Sequence, residues 1–121
     1  MTLPYDPRVD DFVDAVLGMK AFDIVVLDVR ELASFADTFI ICSGRFHRQV
    51  SAIAELVEHK LKAKGIEPLG IEGLREGHWV LMDYGDVVIH IFYEPVRRFY
   101  NLEGLWSDAR RIEIGEDQPN K

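Results

Sequence analysis

Apolar residues along this chain change their spacing several times, and each change marks an element. Near the start, Val9, Phe12, Val13, Val16 and Leu17 recur at helical spacing, with Asp10 and Asp11 where a helix N-terminus favours acids, which predicts a first helix over residues 8–20. DIVVLDV (23–29) and TFIICS (38–43) are short β-branched and apolar runs, so both predict strands buried on two faces. RELASFAD connects them. Val50, Ile53, Ala54, Val57 and Leu61 then form the stripe of a long amphipathic helix. Ser43 is a candidate cap near its start, Lys60, Lys62 and Lys64 suit its negative end, and Gly65 suits the left-handed position that stops it.

A short strand is expected over Glu67–Glu72, followed by the turn EGLREG. WVLMD and VVIHIF flank Asp-Tyr-Gly-Asp and predict a β-hairpin in which Gly85 supplies a positive φ. Alternation places Trp79, Leu81 and Asp83 on one face of the first strand, with Val80 and Met82 on the other. On the second strand Val88, His90 and Phe92 oppose Val87, Ile89 and Ile91. Both faces are largely apolar, as a central position in a sheet requires. After Pro95, Phe99, Leu102 and Trp106 mark a C-terminal helical stretch interrupted by Gly104. These elements predict an α/β sandwich around a mixed sheet of about five strands. The expected organisation is one domain over residues 1–112, with residues 113–121 as a polar, mobile tail.

Composition narrows the class. A chain of 121 residues with 48% hydrophobic and 29% charged residues fits one ordinary globular domain and excludes collagen-like, solenoid and disordered classes. The single cysteine, Cys42, cannot form an internal disulfide, and no Cys/His set has zinc-ligand spacing. No apolar run reaches the roughly 20 residues that cross a bilayer, and the acidic MTLPYDPRVDDFVDAV does not suit a secretion signal. A cytoplasmic protein is expected. The formal charge of −7 is uneven: residues 45–64 hold five Lys/Arg against two acids, so this segment is +3 and the remainder −10. An acidic protein suits a partner with a basic face, while Arg45, Arg48 and Lys60 to Lys64 offer a minor contact to RNA or a solvated helix face.

Candidate chemistry is sparse. Asp86 lies in the hairpin turn and His90 about 13 Å along the strand, so Asp83, Asp86 and His90 do not converge as an acid/base or metal site. Asp28 and Asp37 lack a ligand motif, and capping of the connection is the simpler role. SGRFHRQV could form an anion-binding corner from Ser43, Gly44, Arg45 and Arg48, but the phosphate-loop lysine and the dinucleotide-binding glycines are missing. Cys42, within a strand, fits a small buried hydrophobe better than a nucleophile. No cofactor or metal is expected. Trp79, Tyr93, Phe99, Tyr100 and Trp106 instead crowd the last third among Arg97, Arg98 and Glu103. Such residues anchor protein interfaces, so a tryptophan at an interface is as reasonable an expectation as a buried one.

KAFDIVVLDV, ADTFIICSG followed by RQV, IEG, WVLMDYGDVVIHIF and RRFYNLEGLW occur in that order between Lys20 and Trp106, within a match that runs from about Asp10 to Ile112. In this combination the chain resembles the ribosomal silencing factor (Iojap-like) family. The resemblance implies an α/β/α sandwich with a mixed, five-stranded sheet of nucleotidyltransferase-like topology and no catalytic activity. It implies binding to protein fourteen of the large ribosomal subunit, which blocks joining of the small subunit and lowers translation when nutrients are scarce. Homodimers are implied for the isolated protein. Carried onto this sequence, it makes Trp79, Leu81, Asp86 and His90 of the hairpin and Tyr100, Leu102, Glu103 and Trp106 of RRFYNLEGLW the expected partner-binding residues. The competing reading is a nucleotidyltransferase-like enzyme or nucleotide sensor using Ser43, Gly44 and Arg45, with Asp83 or Asp86 holding a metal. The missing D-x-D carboxylate pair weighs against it.

Overall fold

A computed structural model of the chain describes residues 8–113. Helix α1 (Val9–Val16) continues as a 3₁₀ turn over Leu17–Met19 and stops at Lys20 in the left-handed conformation. Strands β1 (Phe22–Asp28) and β2 (Thr38–Gly44) precede the long helix α2 (His47–Lys62). Next come β3 (Gly70–Glu72), β4 (Trp79–Asp83) and β5 (Val87–Tyr93), helices α3 (Glu94–Tyr100) and α4 (Leu102–Leu105), and β6 (Arg110–Arg111). The sheet runs β3-β4-β5-β2-β1-β6, with β2 and β5 parallel and the other neighbours antiparallel.

The α/β/α layering follows from the apolar faces. Every residue of β2 is buried, as a strand covered on both sides requires. One face packs Ile40, Cys42, Val80, Met82, Ile89 and Ile91 beneath α1 and α2, whose buried stripe is Val50, Ile53, Ala54, Val57 and Leu61. The other face carries Leu27, Phe39, Ile41, Val88 and Phe92, packed against Val96, Leu102 and Trp106 of the C-terminal helical region. The alternation expected of the hairpin is therefore observed on both its strands.

Several details differ from the expectation. The sheet has six strands among the described residues, because Arg110 and Arg111 pair with Asp28 and Leu27, and two charged residues carry no apolar pattern to announce a strand. The third strand begins only at Gly70. The C-terminal helix divides at Asn101, held left-handed at φ 49°, rather than at Gly104, because asparagine tolerates that region. Ser43 caps nothing: pairing with β5 keeps β2 extended through Gly44, and the residue before α2 is Phe46, with no side-chain cap. Gly65 does close α2, with its N–H on Lys62 O and the Ile66 N–H on Leu61 O, the two bonds of a Schellman end. Of the expected polar tail, residues 114–121 lie outside the described residues.

Cys42 lies wholly inside, and burial pushes its thiol up to about 12. At pH 8 it is protonated in the folded chain and shielded from reagents. Titration with Ellman's reagent should find no reactive thiol in the native protein and one per chain in denaturant, and rapid native reaction would contradict this packing.

Candidate functional site

Strand register assembles the site. Trp79 stands opposite Phe92 and Leu81 opposite His90, all four on the α3–α4 side of the sheet. Trp79 stacks on Phe92 at 4.8 Å between ring centroids. On β2, Phe39 turns to the same side and meets His90 edge-on at 5.1 Å. Trp106, just past α4, stands edge-on to Phe39 at 5.1 Å and meets Phe35 of the β1–β2 connection at 6.3 Å. At the other end Tyr100 lies 5.1 Å from Trp79, and Phe99 lies 5.2 Å from Tyr100. Phe35, Trp106, Phe39, His90, Trp79, Tyr100 and Phe99 thus touch in unbroken series across the sheet. The middle is buried, while the ends are open: Phe35 is 64% exposed, Tyr100 52% and Phe99 81%. His78, Trp79, Pro95, Val96, Phe99 and Tyr100 line an apolar hollow of about 400 Å³ at the Trp79 end.

Two polar arrangements orient these rings. The Trp79 indole N–H donates to His90 Nδ1 at 3.1 Å, so the neutral imidazole carries its proton on Nε2, which has no hydrogen-bond partner among the described residues. Burial lowers the His90 pKa to about 4, keeping the ring neutral as this bond requires. Beneath α3, the buried Arg97 donates from Nε and Nη2 to Glu103 Oε2 at 3.1 and 2.7 Å and from Nη1 to Ser43 Oγ at 2.8 Å. Burial raises the Glu103 pKa, but the hydrogen bonds and charge of Arg97 outweigh it and hold the carboxyl below its ordinary value. One guanidinium thereby ties β2, α3 and α4 together.

Seven of the eight residues expected to bind a partner belong to this side. Trp79, Leu81, Leu102 and Trp106 are half-buried in the ring face, Tyr100 is exposed at its margin, His90 lies within it, and Glu103 holds Arg97. Asp86 stands apart. It occupies the hairpin turn at the far end of β4 from Trp79, where its Oδ2 accepts from Arg8 Nη2 at 2.8 Å. Sequence reasoning missed Phe35 and Phe39 as members of the ring series and gave Arg97 no role. Phe39 required the parallel pairing of β2 with β5, whereas Phe35 lies in a connection without periodicity.

Catalytic geometry is not assembled by the candidate groups. Asp83 Oδ1 accepts the Gly85 N–H at 2.8 Å and shapes the turn. Asp28 is held down to about 2, chiefly by its hydrogen bond from Arg30, with Arg110 assisting, and so locks the β1 end to β6. Ser43 is engaged with Arg97, and the Arg45 N–H donates to Gln49 Oε1 at 2.6 Å, so the SGR corner is occupied by the chain's own groups. A polar crevice of about 510 Å³ adjoins Ser43, but its Arg97, Arg98 and Arg111 are matched by Asp23, Glu94 and Glu103, leaving no charge excess for a phosphate. Among the described residues no three His, Cys, Asp or Glu side chains gather in a way that could hold a metal ion.

The buried imidazole makes a stability prediction with a definite sign. Above pH 6.5 His90 is neutral folded or unfolded; below it the unfolded chain takes up a proton that the folded ring refuses until about pH 4. Stability should fall across that window by an amount on the order of 3 kcal/mol. In urea unfolding between pH 7 and pH 4, His90→Phe should flatten the decline. Equal slopes for variant and parent would refute the assignment.

In sequence and in fold the chain is similar to known proteins. The family model described as "Ribosomal silencing factor during starvation" matches residues 4–121. The ribosomal silencing factor RsfS of Halalkalibacterium halodurans is 42% identical over 102 residues, covering 84% of this chain and 87% of that protein. The mouse protein named for mitochondrial assembly of the ribosomal large subunit is 31% identical over 103 residues, 82% of this chain and 45% of its own length. A crystal structure of a Chromobacterium violaceum protein superposes with a TM-score of 0.80 at 36% identity, over 92% of this chain and 93% of that one. With the family model spanning nearly the whole chain and the same fold in a solved relative, the chain belongs to the ribosomal silencing factor family.

Proposed function

We propose that the aromatic face binds protein fourteen of the large ribosomal subunit and that the bound domain blocks joining of the small subunit, repressing translation under nutrient limitation. Membership of the silencing family supplies the setting, a regulator of ribosomes and not an enzyme. The observation that carries the site is the series of rings left open at both ends on one side of the sheet. Aromatic side chains set in partly formed pockets are the usual anchors of protein association, since they desolvate much area at little entropic cost. A chain of net charge −7 also complements a basic ribosomal protein and speeds its encounter with one.

In this reading no bond is made or broken. Trp79, Leu81, Tyr100, Leu102 and Trp106 supply contact, His90 fixes the indole, and Glu103 fixes α4 through Arg97. Asp86, off the face, holds the hairpin turn to Arg8. The single domain spans residues 1–112 and excludes the small subunit by its volume. Its place of action is the cytoplasm with the ribosomes; among the described residues no helix is long and apolar enough to cross a membrane. The exposed Phe99 and Tyr100 also favour a homodimer of the unbound protein through the same rings.

Co-sedimentation with purified large subunits tests the assignment. Trp79→Ala and Tyr100→Ala should each weaken binding by about 2 kcal/mol, with the circular dichroism of the fold retained, and Asp86→Ala should bind as the parent does. In sucrose gradients saturating protein should lower the population of joined ribosomes. Full binding by both aromatic variants would remove this face, and normal joining at saturation would remove the mechanism.

A further inference from the structure

The chain's basic residues are divided by the fold. Arg48 and Lys62 sit near opposite ends of α2, about 21 Å apart at helical rise, so the basic segment is two sites and not one. At the far end Lys64 is bound to Asp11 at 2.8 Å, and Lys60 lies over Gly18. The near end is different. Arg45 rests its guanidinium 4.6 Å above the ring of Phe22, leaving the residue exposed, and Phe46 beside it is 68% exposed. Arg48 and Lys20 are exposed and have no acidic partner among the described residues.

This rim is rigid. Gln49 takes the Arg45 N–H on its Oε1 and donates from Nε2 to the carbonyls of Met19 and Lys20 at 3.2 and 3.3 Å, stapling the turn after α1 to the loop before α2. The rim is also continuous with the aromatic face. His47, next to Phe46, packs on His78 at 4.5 Å, and His78 lines the apolar hollow beside Trp79. Of the neighbouring acids, Glu94 is paired with Arg98, which leaves Asp23 and, beside Gly77 where it meets the start of α2, Glu76 against Lys20, Arg45 and Arg48. On a chain of net charge −7 this is a local cationic surface bearing an open aromatic ring.

We propose that Lys20, Arg45, Phe46 and Arg48 form a second contact, to an unpaired segment of large-subunit RNA: a base stacks on Phe46 and the cations meet flanking phosphates. Aromatic rings among arginines are how single-stranded RNA is held, because every base offers a π-face and every nucleotide a phosphate. A duplex does not fit, since its stacked bases leave no face for Phe46. The proposal rests on ribosome binding but not on which side meets protein fourteen. Both contacts are compatible with one docked pose, because the rim joins the hollow through His78 and His47.

The test uses the full chain and purified large subunits across a salt series, with thermal unfolding as a check on each variant. Phe46→Ala should weaken binding about tenfold without lowering the melting temperature, and Arg48→Ala should reduce the steepness of the salt dependence by close to one phosphate's worth, a slope change of about 0.7. A benzophenone side chain in place of Phe46 should cross-link to ribosomal RNA on irradiation. A cross-link to ribosomal protein alone, or unchanged affinity and salt slope in both variants, overturns the RNA contact. Loss of binding in these variants while Trp79→Ala and Tyr100→Ala bind normally would sink the proposed docking face and leave the rim standing.

Discussion

Seven residues of β2 lie in parallel register with seven of β5, from Thr38 beside Val87 to Gly44 beside Tyr93, and the rest of the molecule is arranged around that pairing. Parallel neighbours cannot be joined by a tight turn, so the chain must leave one end of β2 and return to the start of β5. It does so through α2, β3 and β4, and α2 covers one face on the way. Both strands end at the same rim, where β2 feeds α2 on one side and β5 feeds α3 on the other. The aromatic face and the basic rim are two consequences of this one register. A shift of β2 by one residue against β5 would turn Phe39 away from His90 and break the ring series.

Apolar burial accounts for the stability of the sheet, yet it does not explain why the rings stand where they do. Helices α3 and α4 are short and cover the sheet only in part, and their turn at Asn101 has a left-handed residue. Arg97 supplies the missing constraint by joining Ser43 on β2 to Glu103 on α4 from within. Its weight differs in kind from that of the surface pairs. Arg8–Asp86 and Lys64–Asp11 are solvent-exposed, and such pairs contribute roughly 0–1 kcal/mol. Removing Glu103 leaves the buried Arg97 guanidinium without its counter-charge, and stranding a buried charge costs about 3–5 kcal/mol. The value of the buried pair is therefore one of position, with the open aromatics of α3 held at a fixed distance from Trp79.

Patterns made by many residues were legible in the sequence, and features made by one or two were not. The helical stripe of α2, the two-faced strands and the alternation of the hairpin each rest on repeated choices, and all three appear as expected. β6 rests on two arginines whose pairing depends on where Asp28 and Leu27 already lie. Ser43 shows the limit most clearly: a serine before a helix has the right chemistry for a cap, but strand pairing fixed its backbone first and Arg97 used its hydroxyl. At the site, alternation grouped Trp79 with Leu81 on one strand and His90 with Phe92 on the other, and the β4–β5 register put both groups on one face. Adding Phe39 required knowing which strand lies beside β5, which is long-range information that local spacing does not carry.

The face and the rim also answer different physical demands. Rings that bury apolar surface hold a partner with little sensitivity to salt, whereas exposed cations act over about a Debye length, roughly 8 Å at physiological ionic strength. An acidic body repels RNA at longer range and attracts basic protein, so encounter favours the protein contact and only close approach brings Lys20, Arg45 and Arg48 within reach of phosphate. That order suits the proposed role, in which the whole activity is to occupy a place. Were the cations spread evenly, the chain would bind many nucleic acids weakly; gathered at one rim beside an aromatic hollow, they favour, in the proposed docking, a place where a protein and an RNA surface meet at the matching spacing.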